Sequence, residues 1–246
     1  NLADLILPVS IRSGGSMADF LAAASLAGKN IDSRFQIGYQ RRHQKLAYTL
    51  DRARLSDQIR QCGNGCIIHW TRAVNGPWPG ERAVDYYRDL LQSDDHPRSA
   101  FDTLRQILAV RRLLASPRHM HRNTPVVAFT ALSPVEVIPL MRWRARFGEM
   151  SFEPYGLGIQ RAAAELIGVR PVQYGDRLPD EGAAADHWIC QSPGTKTDWR
   201  QEQEYRHLGD FDFSGISKDD LLVFCRTPQE GEVISNEFGL RVVSFY

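Results

Sequence analysis

The sequence predicts an α+β (mixed α/β) fold: a central mixed or split β-sheet with flanking helices and a helical N-terminal lead-in. Short apolar runs suited to single buried strands, at Cys66–Trp70, 126–129 and Leu221–Cys225, are spread over positions 64–246. Between them lie segments whose apolar residues recur at helical spacing, such as Phe101, Leu104, Ile107 and Leu108. Strands and helices mixed in this way form layered structure around one core. The expected division is a helical segment over 1–62, packed on or leading into a mixed α/β domain over 63–246.

The elements follow in order. An extended stretch at 5–9 precedes the turn Ser13-Gly14-Gly15-Ser16, and Ser16 is placed to cap a helix over 17–27 that Gly28 and Asn30 stop. From 33 to 61 the chain carries Arg34, Arg41, Arg42, Arg52, Arg54 and Arg60, while Phe35, Tyr39, Leu46, Leu50 and Ile59 recur at roughly helical spacing. This predicts an amphipathic basic helix, either a solvated face or a face for nucleic acid or an acidic partner. The strand at Cys66–Trp70 is entered through glycines. A loop around Pro77 and Pro79 leads to helices over 81–91 and 99–114. The strand at 126–129 runs into a helix over 134–147, with Pro134 tolerated in its first turn. A strand at 155–159, a helix over 160–166 closed by Gly168, and a strand at 171–174 come next. The pattern of 199–208 does not settle its class. A strand at Leu221–Cys225, a helix over 230–238 and an alternating strand at 240–245 end the chain.

At 246 residues, with 43% apolar and 24% charged residues, the chain can bury one large core or two small ones. No apolar run approaches the roughly 20 residues of a membrane span, and no signal segment opens the chain. It starts at Asn1 rather than Met, which suggests a trimmed or longer polypeptide. A net charge of +1 supplies no general attraction to nucleic acid or membrane. Of the 30 basic residues 26 are Arg, explained by GC-rich coding or by a preference for bidentate contacts with phosphate or carboxylate. Four Cys are too few for a disulfide framework, so the chain reads as cytoplasmic with reduced thiols. Cys62-Gly-Asn-Gly-Cys66 is tighter than most zinc knuckles and has no second pair, so no metal is expected.

Several constellations could carry chemistry. His69-Trp70-Thr71-Arg72 closes a buried strand, where side chains leave the core. His69 and Thr71 could bond a ribose or amide and Arg72 a phosphate, or His69 could simply satisfy a backbone carbonyl. Glu202 and Glu204 share one face if their segment is a strand, and two close carboxylates raise each other's pKa. Alternatively they pair with Arg200 or Arg206 as surface ion pairs. Ser133-Pro134 offers a hydroxyl at a strand end, or only a helix cap. Tyr155-Gly156-Leu-Gly158-Ile159 lacks the third glycine of a dinucleotide fingerprint, and close backbone packing explains it.

The blocks Pro125-Val-Val-Ala-Phe-Thr, Tyr155-Gly-Leu-Gly-Ile, Gly168-Val-Arg-Pro171-Val-Gln-Tyr174 and Trp199…Glu202-Gln-Glu204-Tyr-Arg206, with His69-Trp-Thr before them, resemble the AbiGi family. These are bacterial proteins described as the antitoxin half of an abortive phage-resistance system. The resemblance spans roughly positions 66–226 and leaves 1–60 uncovered. It implies a phage-defence or toxin–antitoxin setting, a toxin or antitoxin protein partner, and no membrane association. More distantly, the His-x-Thr strand, the strand ending in Ser133-Pro134 and the late glutamate are similar to ADP-ribosyltransferase-like toxins that modify nucleic acid. That resemblance implies NAD as a substrate rather than a tightly bound cofactor. His69, Thr71, Arg72 and Ser133 would bind it, Arg72 at the pyrophosphate. Glu204, with Glu202 as partner, would stabilise the oxocarbenium-like charge as nicotinamide leaves. The catalytic set is then Glu204, Glu202 and His69, converging with Thr71 on one open cleft. The Trp-x-x-Glu-x-Glu-x-Arg setting departs from those enzymes. Two alternatives stand beside this: a non-catalytic antitoxin or interaction module of the same fold, and nucleic-acid binding through the Arg-rich N-terminal helix.

Overall fold

The computed structural model describes residues 4–8, 10–11, 15–34, 36–38, 50–118, 120–144, 149–175, 186–192 and 198–246. The chain divides into two compact units, Asn1–Lys45 and Leu46–Tyr246. In the first, helix α1 (Ser16–Leu26) follows an extended Gly15, so Ser16 is its first helical residue and not its cap. Ile6 bridges Ile31, and Ser10–Ile11 pairs in parallel with Ile37–Gly38.

The expected basic helix over 33–61 is not formed among the described residues. Arg34 folds back on Asp32 at 2.9 Å, Ile37–Gly38 is extended, and Arg52–Arg54 is a 3-10 turn. Only α2 (Asp57–Gln61) is α-helical there. Two local caps break the run: the Asp51 carboxylate accepts from Ala53 N and the Ser56 hydroxyl from Ile59 N. Arg41 and Arg42 lie outside the described residues. The boundary expected at 62/63 falls instead between Lys45 and Leu46. The reason is that α2 belongs with the sheet. Ile59 is fully buried, and Ser56 donates through its N–H and hydroxyl to Phe245 O and Ser244 O at 2.8 and 2.6 Å.

The fold of the second unit is α+β, a mixed seven-stranded sheet flanked by helices. Its strands are β1 (Cys66–Trp70), β2 (Val126–Thr130), β3 (Gly156–Gln160), β4 (Arg170–Pro171), β5 (Glu204–Leu208), β6 (Leu221–Cys225) and β7 (Arg241–Ser244). Their spatial order is β7-β6-β3-β1-β2-β5-β4. Only β6 and β7 run parallel, joined by helix α7 (Pro228–Phe238). Thr227 and Glu230 form a capping box at the start of α7, with Pro228 at its first position.

Successive residues of a strand point to opposite faces, and the two central strands show it. Ile67 and Val223 pack with Leu104 and Leu108 of α4 (Ala100–Val110), Ala164 of α6 (Arg161–Leu166) and Ile234 of α7. Ile68 and Phe224 pack with Ile59 of α2, Val137 of α5 (Pro134–Val137) and Phe245. Both faces are covered, which is why β1 and β6 read as unbroken apolar runs.

Two helices are shorter than their patterns predict. α4 ends at Val110 because Arg111 adopts the left-handed conformation (φ 52°) and Arg112–Leu113 pairs with Phe211–Asp212, burying Leu113. α5 gives way to a 3-10 turn at Ile138–Leu140, where Pro139 has no N–H to continue the α-helical ladder, and Trp143–Arg144 then pairs with Glu149–Met150. No helix among the described residues is long and apolar enough to cross a membrane.

The feature that positions the site is a split. β1 pairs with β3 over five residues, and β2 with β5 over five, but β1 meets β2 at the single pair Ile68↔Thr130. Past that pair the two halves diverge. β3 approaches β1 so closely there that a Cβ at Gly156 would lie 2.8 Å from Trp70 Cε3 and 3.0 Å from His69 O. Gly156 therefore lets Trp70 lie against β3 at the edge of the split.

Candidate functional site

A cleft of about 720 Å³ opens at the split, lined by His69 and Trp70 of β1, Ala128 and Thr130 of β2, and Glu202, Glu204 and Arg206 at the start of β5. Register explains the assembly. Ile68, Thr130 and Glu204 lie opposite one another across three antiparallel strands and share one face, as do Ala128 and Arg206. Two strand spacings, about 10 Å between backbones, separate β1 from β5. His69, next to Ile68 on β1, projects to the other face, where its ring meets Phe129, so it and the carboxylates border the cleft from opposite faces of the sheet.

His69 is half-buried and sits where the β1–β2 ladder stops. Its Nδ1 lies 2.9 Å from Ala128 O, and its ring meets Phe129 edge-on at 5.9 Å. A carbonyl only accepts, so Nδ1 carries the proton and Nε2 is left as an acceptor. Burial holds the imidazole pKa below its usual value, the Ala128 bond opposes this, and the nearby Arg72 charge lowers it further. The ring is therefore neutral at pH 7. The depressed value has a sign in stability. The unfolded His titrates near about 6.5, so stability present above that pH is lost as pH falls through the folded value. Unfolding free energy measured by urea titration should decline as pH falls below about 6.5, and His69→Asn should flatten that decline. Equal slopes would contradict the assignment.

Thr71 does not reach the cleft, contrary to the expectation for an ADP-ribosyltransferase-like site. It is buried, and its hydroxyl lies 3.1 Å from both Ala100 O and Tyr155 O. It ties the end of β1 to the start of α4 and to the approach to β3. Ser133 is likewise a cap and not a ligand group: its N–H and hydroxyl both donate to Glu136 Oε2, at 2.9 and 2.7 Å, in the capping box of α5. Arg72 lies behind the cleft wall, 3.4 Å from Glu149. The guanidinium of Arg118, which does line the cleft, approaches the same carboxylate at 3.0 Å. Arg144 lines the cleft as well, and the charges of Arg118 and Arg144 press the Arg72 pKa down alongside burial, against the pull of Glu149.

The segment whose class was open is a 3-10 turn, Trp199–Glu202, then Gln203 in the left-handed conformation (φ 45°, ψ 52°), then β5. This turn separates the roles of the two glutamates. Glu204 is gripped by Arg206 two residues on, with Nε to Oε1 at 2.7 Å and Nη2 to Oε2 at 2.9 Å. Arg206 is 4% exposed and also donates to Trp188 O at 2.9 Å and to Gln191 Oε1. Such a two-pronged contact is the strong form of the Arg–carboxylate bond. Glu202 is held through its backbone instead, where its carbonyl accepts from Thr130 Oγ1 at 2.5 Å. Its carboxylate makes no hydrogen bond or close ion pair among the described residues. Burial and the charge of Glu204 raise its pKa, opposed by Arg144 and Arg142.

His69, Glu202 and Glu204, singled out from the sequence, line the cleft, but sequence reasoning missed what frames them. Trp70 stacks on Phe152 (centroids 6.3 Å, interplanar 22°), and both line the cleft as a flat apolar wall. The Tyr174 hydroxyl donates to Trp199 O at 3.0 Å and steadies the 3-10 turn, with its pKa raised by burial and then by the two glutamates. Tyr174 could have been found, since it closes the block 171–174. Arg118 and Arg144 could not, because nothing distinguishes them within so Arg-rich a chain. Comparison of the chain with protein-family models, with curated proteins and with solved structures finds no significant match in any of the three.

Proposed function

We propose that the chain is a phage-defence or toxin–antitoxin-associated protein whose cleft takes NAD as substrate and transfers ADP-ribose. The observation that supports this is one cleft at the split of the sheet that Glu202 and Glu204 line together, with His69 bordering it from β1. In the reaction the ribose C1′–N bond breaks and its electron pair leaves with neutral nicotinamide. Positive charge gathers on the ribose until an acceptor oxygen or nitrogen, or water, bonds to C1′ and gives up its proton. Carboxylates already fixed in a half-buried cleft stabilise that charge with little reorganisation. The Trp70–Phe152 wall suits a flat ring, and neutral His69 offers Nε2 to a ribose hydroxyl. A cytoplasmic setting, with NAD and reduced thiols, fits this chemistry.

The direct test is release of nicotinamide from labelled NAD. Ala128 is exposed and lines the cleft opposite Arg206, so Ala128→Trp should fill the cleft from β2. Wild type is expected to release nicotinamide and Ala128→Trp to lose release by at least about tenfold, since excluded substrate forfeits its positioning. No release by wild type, with or without nucleic acid as acceptor, sinks the reading. A non-catalytic interaction module has its own support in helix α3 (Ala83–Gln92), where Val84, Tyr87 and Leu91 are exposed at i, i+3 and i+7. Nucleic-acid binding by the 34–60 region has less, because Arg60 is spent on the carbonyls of Leu55 and Arg52.

A further inference from the structure

We infer that Arg206 is a positioning residue that clamps Glu204 as a fixed anion, and that Glu202 is the carboxyl of the cleft that takes up and releases a proton. The role in turnover rests on the proposed NAD chemistry; the division of the pair does not.

The geometry separates two neighbouring carboxylates that would otherwise be equivalent. Glu204 and Arg206 are alternate residues of β5 and project to one face, so their side chains meet without strain. The clamp cannot swing, because the buried guanidinium is also bonded to Trp188 O and Gln191 Oε1. Both oxygens of Glu204 are occupied by Arg206. The left-handed Gln203 turns the chain between them, so Glu202 leaves from the 3-10 turn and escapes the fork. Thr130 fixes its backbone and leaves its carboxylate for the cleft.

The charge of Glu204 disfavours a second charge on Glu202, whose carboxylate has no guanidinium bonded to it. The groups facing Glu202 agree. Glu204 from β5 and burial favour the protonated form, while Arg142 and Arg144 from the segment after α5 favour the charged one. Tyr174 and Asp198 complete the surroundings; both glutamates and Asp198 help to raise the tyrosine pKa, so its phenol stays neutral. In turnover, Glu204 faces the cationic ribose as a constant charge. The acceptor O–H or N–H bonds to C1′ and its proton passes to the Glu202 carboxylate, which later yields it to solvent.

The test is the titration of Glu202, followed by carboxyl-carbon NMR on the full chain and assigned with Glu202→Gln. Its midpoint should lie above that of an ordinary glutamate, and Glu204→Gln should bring it down by about half a unit or more, since removing a neighbouring negative charge eases ionisation. Should Glu204→Gln fail to fold, Glu204→Gln combined with Arg206→Met removes both members of the clamp and should show the same fall. An ordinary midpoint, or one unmoved in either folded variant, overturns the inference. If wild type releases no nicotinamide yet the midpoint moves as described, the NAD reading fails and the clamp stands. If nicotinamide is released but only Glu204→Gln, and not Glu202→Gln, changes its pH profile, the NAD reading stands and the division of roles is overturned.

Discussion

Arg206→Met should lower the free energy of unfolding by about 3–5 kcal/mol, because it breaks a buried ion pair from one side only. Arg206 is 4% exposed, and its loss leaves Glu204 charged in a pocket where its side chain is only 17% exposed. The Trp188 carbonyl and the Gln191 amide oxygen lose a donor at the same time. Urea unfolding measures the effect. The revealing comparison is the double variant Glu204→Gln, Arg206→Met, which should recover most of the loss, since removing both partners avoids the stranded charge. A single variant within about 1 kcal/mol of wild type would mean that water reaches the pair and screens it as at an exposed site.

The second large effect is catalytic. Glu202→Gln is expected to slow nicotinamide release by about 10²–10⁴, the usual contribution of a group that takes up the acceptor's proton. The fold should not notice. The Glu202 side chain makes no hydrogen bond or close ion pair among the described residues, and removing its charge relieves repulsion from Glu204. Unfolding free energy should therefore stay within about 0.5 kcal/mol of wild type, as for substitutions away from packed or bonded groups. A loss of rate accompanied by an equal loss of stability would assign Glu202 a structural role.

Much of the fold was legible because it depends on local pattern. β1 and β6 announce themselves as apolar runs, and the last helix was found too, although it starts two residues before the expected Glu230, at Pro228. What was illegible depends on distant partners. α4 stops where Leu113 finds Phe211 across about a hundred residues of chain, and no local signal in 99–114 encodes that pairing. The hydroxyl of Thr71 was a plausible ligand until its neighbours proved to be carbonyls 29 and 84 residues away. Ser133 is the opposite case, since its cap was readable in Ser-Pro-x-Glu and only the resemblance argued otherwise. At the site, spacing left open whether Glu202 and Glu204 share one strand, and only the resemblance made Glu204 the principal group. A single left-handed residue, Gln203, separates them, and non-glycine residues in that conformation carry a cost of roughly 1–2 kcal/mol that sequence does not advertise.

The one-pair join between β1 and β2 also has a mechanical meaning. A sheet held by five-residue ladders on either side of a single stitch has a seam. Along the backbone, the seam is held by little more than the Ile68↔Thr130 pairing and the His69–Ala128 bond, while the apolar cores on either face span it. Parting the sheet at β1–β3 or β2–β5 would strip a full ladder. A molecule lodged in the seam would act as a cross-brace between the two half-sheets. Occupancy would register as slower hydrogen exchange in strands on both sides of the seam, including ones it never touches.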